Sequence, residues 1–208
     1  MYDFLTDLDG YFCEKYANYD KLCVLPGYVM PVMHRSEVDE FGRTRTYTLP
    51  ANTMRLATQE KRDELLAELK KRMSDATFSF SFKPIGFFRR IADRFSKITP
   101  RKVLKGLLDK YGISEADAFE GLAIDAEVWQ GICKGKFEPT KNLIYSLALT
   151  AHISYDDTLN LMYIFGYEFD NANVKDVVIS YLLTSKVYNR AMIDAALAEY
   201  KVTNLFIK

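Results

Sequence analysis

Residues 113–136 read ISEADAFEGLAIDAEVWQGICKGK. The reading of this stretch decides the fold. Ser114 and Asp125 each stand before a helical pattern, and each carries a side-chain oxygen able to accept a free first-turn amide. Two short helices are expected, over 114–122 and 125–134, joined by a turn around Ala123-Ile124-Asp125. Ala118, Leu122, Ile124, Trp129 and Ile132 fall at positions that face a shared core.

The pattern continues on both sides. After the Thr99-Pro100 break, every segment reads as helix: 100–111, then the two above, then 139–152, 154–165, 173–185 and 189–200. Gly112, Gly135, Pro139 and Gly166 punctuate them. Short connections between amphipathic helices predict a compact all-α bundle over 99–208.

Residues 101–165 resemble the Cro/phage-repressor (XRE-like) helix-turn-helix domain. The resemblance includes the Gly135-Lys136 close of its third helix, Pro139 opening its fourth, and the Leu147-Ala148 pair inside that helix. More narrowly, residues 104–200 are similar to a helical module found C-terminal to macrodomain-type proteins of Firmicutes. The shared features are Tyr111-Gly112, Ile124-Asp125, Pro139-Thr140-Lys141, Leu147-Ala148-Leu149, Gly166-Tyr167 and the helix from Asp176 to Tyr181. The resemblance implies that 125–134 is a recognition helix lying in a major groove, with Ala126, Glu127, Gln130 and Gly131 as its outward positions.

Local charge argues against that docking. Gln130 alone offers the paired donor and acceptor that suit adenine. Between Tyr111 and Lys134 there is no Lys or Arg, while Glu115, Asp117, Glu120, Asp125 and Glu127 are acidic. Duplex affinity rests largely on neutralised phosphates. Lys134 and Lys136, just past the helix, are the nearest cations to Gln130. Two readings therefore stand: a protein-binding scaffold, or a homodimeric DNA-binding regulator.

The most basic stretch is 83–105. It holds Lys83, Arg89, Arg90, Arg94, Lys97, Arg101, Lys102 and Lys105 against Asp93 alone. Ile85, Phe88, Ile91, Phe95 and Ile98 predict an amphipathic helix over 84–98. Its cations could meet an anionic ligand or partner, form an ordinary solvated face, or pack against the acidic 115–127 surface.

The first 98 residues read as a small α+β unit. Phe4, Leu8, Phe12 and Tyr16 mark a helix over 2–18. A hairpin is expected to turn at Glu40-Phe41-Gly42-Arg43. Leu65, Leu66, Leu69 and Met73 stripe a helix over 58–75, and Phe78-Ser79-Phe80-Ser81-Phe82 alternates as a strand sharing the hairpin's sheet. The fold class is thus α+β and mainly helical overall: a unit at 1–98 and a helix-turn-helix-like domain at 99–208.

No convergent catalytic set emerges. Asp7-Leu8-Asp9-Gly10 looks like the first motif of haloacid-dehalogenase-type hydrolases, but Tyr11 follows it and no apolar strand precedes it. Acidic residues near a helix start are the alternative, because the dipole favours them there. Cys13, Cys23 and Cys133 lack Cys-x-x-Cys spacing, and His34 and His152 are isolated. No metal and no cofactor is expected. His152 reads as a helix-end residue and Trp129 as core. Leu205-Phe206-Ile207 either docks on the last helices or mediates self-association.

Composition fits this picture. Hydrophobic residues are 49% of 208 and charged residues 27%, enough for a packed core. Lys and Arg total 28, as do Asp and Glu, so a global polycation wrapping nucleic acid is excluded. The sparse cysteines suit a reducing compartment. The acidic start lacks the pattern of a signal peptide, and no apolar run approaches the roughly 20 residues of a membrane span. The sequence predicts a cytoplasmic, non-enzymatic regulatory or interaction protein.

Overall fold

A computed structural model describes residues 3–17, 19, 25–27, 34–48, 56–73, 83–86, 99–122 and 124–202. The described residues are mainly helical, with small antiparallel pairings, which is the expected α+β class. None of their helices is long and apolar enough to cross a membrane.

The first helix, α1, spans Phe4–Lys15. Asp3 caps it by accepting from the Leu5 amide at 3.2 Å. Leu8, Phe12 and Tyr16 are buried and Phe4 packs against them, so the four-residue spacing marks the inward face. A hairpin follows, β1 (His34–Val38) against β2 (Thr44–Thr48), in the register Ser36 opposite Thr46. Helix α2 spans Arg62–Arg72, preceded by a 3-10 turn at Leu56–Thr58. It is shorter than the 58–75 expected, because the tighter turn and Lys61 take up its first residues. Its stripe of Leu65, Leu66, Leu69 and Met73 is buried.

Among the described residues seven helices follow: α3 (Pro100–Tyr111), α4 (Glu115–Gly121), α5 (Ala126–Cys133), α6 (Lys141–Thr150), α7 (Tyr155–Ile164), α8 (Val174–Thr184) and α9 (Arg190–Glu199). Each lies within two residues of its expected bounds, because caps define them. Thr99, Ser114, Thr140, Ser154, Asn173 and Asn189 all accept first-turn amides. Asp125 is the exception: it precedes α5 but its carboxylate makes no capping bond. Gly112, Gly135 and Gly166 stop their helices in the left-handed region.

Helix α8 ends without a glycine. Lys186 holds φ 54° there, a conformation that costs a side-chain-bearing residue about 1–2 kcal/mol. Lys186→Gly is therefore expected to raise stability by about 1 kcal/mol, read as a higher urea midpoint at unchanged slope.

Two expectations need correction or limit. Lys83–Pro84 is not the start of a helix; it is a short strand, β3, paired antiparallel with β4 (Phe137–Glu138). The Ile85 amide extends the pairing by donating to the Lys136 carbonyl at 2.8 Å. Proline fits there because it occupies the edge of a two-residue ladder. Residues 87–98, the strand expected at 78–82, and Leu205-Phe206-Ile207 lie outside the described residues.

Buried side chains from both sides of position 98 belong to one hydrophobic cluster. Phe12 stacks on Tyr16 at 4.7 Å and meets Tyr200 at 4.4 Å between ring centroids. Tyr11 and Ser180 share a hydroxyl hydrogen bond of 2.7 Å, and Tyr181 donates to the Phe4 carbonyl at 3.1 Å. Lys70 of α2 bridges Asp9 at 2.7 Å and Glu199 at 2.6 Å. Tyr200 donates to Asp9 at 2.6 Å. Helices α1 and α2 thus cover α8 and α9.

Candidate functional site

The α4–α5 stretch lies between two anchored ends. At one end, the Asp157 carboxylate accepts from Lys110 at 2.6 and 2.8 Å and from the Tyr111 hydroxyl at 2.5 Å. The same hydroxyl accepts from the Ser154 amide at 2.9 Å. This ties the end of α3 to the start of α7. The Lys110 hydrogen bond, then that of Tyr111, holds the Asp157 carboxyl below its ordinary range. A lowered folded pKa means that the stabilisation is full above the unfolded value, about 3.9, and is lost as pH falls through the folded one. Asp157→Asn is expected to flatten that acid limb of stability against pH, measured by urea unfolding from about pH 6 down to about pH 2.

At the other end, α5 is pressed onto β4. Trp129 and Ile132 are buried as expected. Gly131 corrects the outward assignment: it is buried, and a Cβ there would sit 2.7 Å from the Phe137 ring. Only a residue without a side chain lets the ring lie against the helix. Gly131→Ala must displace Phe137 and is expected to cost about 1–3 kcal/mol, seen as a lower urea midpoint.

What remains outward on α5 is Ala126, Glu127 and Gln130, all exposed. Lys134, exposed past the helix, donates to the Gln130 side-chain oxygen at 3.4 Å. The amide is thereby engaged on its acceptor side. Glu115, Asp117, Glu120, Asp125 and Glu127 are all exposed. Asp117 accepts from the Ser114 hydroxyl at 2.6 Å. None of the five forms an ion pair among the described residues. Among the described residues they form an anionic surface without counter-ions on α4 and α5.

The basic candidates are only partly described. Lys102 and Lys105 are exposed on α3, and Lys136 is exposed between α5 and β4. Arg101 lies in the first turn of α3. Arg89, Arg90, Arg94 and Lys97 lie outside the described residues. The β3–β4 pairing does bring the beginning of the basic stretch beside the end of α5. A two-residue ladder has no periodicity, so nothing in the sequence marked it.

The Asp7-Leu8-Asp9-Gly10 motif sits inside α1 with Leu8 fully buried. Residues two apart on a helix point to different sides, so the two carboxylates do not converge. Asp9 instead joins Lys70 and Tyr200. Burial pushes the Tyr200 phenol well above its ordinary range, aided by the neighbouring Asp9. Cys13 and Cys133 are buried. Burial raises the Cys13 thiol to about 11, so its reactive thiolate is suppressed. His152, exposed at φ 53°, stacks on Tyr188 at 4.8 Å. Among the described residues no group of three or more His, Cys, Asp or Glu is placed to hold a metal ion.

No protein-family model, no curated protein and no solved structure matches this chain.

Proposed function

We propose that the chain is a non-enzymatic, cytoplasmic interaction protein that uses a helix-turn-helix-like scaffold to dock a protein partner through the α4–α5 face. The observation that carries the reading is the charge of that face. Among the described residues its exposed carboxylates form no ion pair, and a surface of one sign selects a partner of the other. A DNA groove repels it; a basic protein patch complements it. The outward side chains of α5 are short or acidic, and Gln130 is tied to Lys134, which leaves little for base readout.

The basic run that starts at β3 and continues through Lys102 and Lys105 supports a second contact with an anionic region of the partner. A photo-crosslinking residue placed at Glu120 in the full chain tests the assignment. Covalent capture of a protein, lost when Glu115 and Glu127 are replaced by Gln, is the expected outcome. Adducts to nucleic acid alone, or capture indifferent to the two substitutions, would reject it.

A further inference from the structure

The β1–β2 hairpin stands apart from the core. All five residues of β1 are exposed, and so are Arg43, Arg45 and Tyr47. Val38 is 69% exposed and Phe41 77%. Among the described residues no third strand pairs with either edge. A two-stranded hairpin without a packed face is marginal by itself, and an edge left unpaired is a template for further pairing.

The geometry of the β1 edge follows from the turn. The Asp39 amide donates to the Arg43 carbonyl at 2.9 Å, which makes 39 and 43 a bonded pair. Antiparallel ladders alternate, so Glu37–Arg45 is bonded and Ser36–Thr46 is not. The N–H and C=O of Ser36 therefore point to the free edge. Arg35 and Glu37 flank it on one face, 2.9 Å apart.

We propose that this edge pairs antiparallel with the same edge of a second copy, about a two-fold axis at Ser36. The edge is self-complementary. The two Ser36 residues exchange backbone hydrogen bonds, and each Arg35 faces Glu37 of the second copy. Across the resulting four-stranded sheet one row reads Tyr47, Arg35, then Glu37 and Arg45 of the second copy, alternating in sign with no like charges opposed. The neighbouring row sets His34 against Val38 of the second copy, which covers the exposed Val38. The interface is isologous and closes at two subunits. This inference is independent of the docking role given to α4 and α5.

Sedimentation equilibrium of the full chain tests it, over about 1 μM to about 1 mM, the range in which so small an interface dissociates. A reversible monomer–dimer equilibrium is expected. Ser36→Pro removes the outward donor while leaving the β1–β2 backbone bonds in place and giving up only the exposed hydroxyl contact with Thr46. It should raise the dissociation constant by about tenfold or more, since two edge hydrogen bonds are lost. Glu37→Arg should do the same by opposing Arg35, and the exchanged pair Arg35→Glu with Glu37→Arg, made together with Arg45→Gln so that position 37 faces no like charge in its own hairpin, should restore the wild-type constant. Far-UV circular dichroism and thermal unfolding should stay unchanged, because the hairpin lies outside the core. A wild-type chain monomeric throughout overturns the proposal. So does a dimer indifferent to Ser36→Pro and Glu37→Arg, or an exchanged pair that fails to restore association.

Discussion

Phe12→Ala is expected to lower the unfolding free energy by about 3–5 kcal/mol, the range for truncating a buried aromatic. The side chain is fully buried and lies between Tyr16 and Tyr200. Its removal empties a space bounded by α1 on one side and the end of α9 on the other. Because Phe12 and Tyr200 lie 188 residues apart in the chain yet share one cluster, the loss should appear as one cooperative transition. Coincident denaturation by tyrosine fluorescence and far-UV circular dichroism is the check. A first transition confined to residues 1–98, leaving the helices from α3 onward at wild-type stability, would show that the interlock carries no energy.

Lys141→Met is expected to cost about 3 kcal/mol, the low end for stripping a counter-ion from a buried charge. Asp176 is 2% exposed at the start of α8, and its carboxylate accepts from Lys141 and from the Asp170 amide. Lys141 keeps partial access to water and lies over the Tyr145 ring at 5.8 Å. The remaining backbone donor is why the cost stays at the low end. Asp176→Leu combined with Lys141→Met removes both charges, so the pair should recover much of the loss. A double-mutant cycle by urea unfolding gives the coupling directly. A cycle that closes with no coupling would mean that the pair acts only as two independent packing groups.

The helices after Pro100 were legible because each has its own local marks. A capping Ser, Thr or Asn opens most of them, an apolar stripe runs through, and a glycine closes several. Trp129 and Ile132 were legible as core for the same reason. What escaped the sequence was non-local. Gly131 is outward by helical counting, but Phe137 lies on it because β4 turns back across α5. Pro84 reads as a helix start, but the partner that makes it a strand lies more than fifty residues away. Asp9 reads as a helix-dipole residue, and only the fold brings Lys70 and Tyr200 to it. Asp176 and Lys141 likewise carry no sequence signal of their pairing. The acidic face was legible in full, since every one of its five carboxylates belongs to a short exposed helix or its cap. The arginines near residue 90 lie outside the described residues, so their role rests on the sequence pattern.

The charge reading of α4 and α5 is tested most directly by titrating the full chain into a fluorescein-labelled, mixed-sequence duplex at about 50 mM salt, where phosphate contacts are strongest. No saturable rise in anisotropy is the expected result. Saturable, salt-sensitive capture of the duplex that disappears in Gln130→Ala would contradict it.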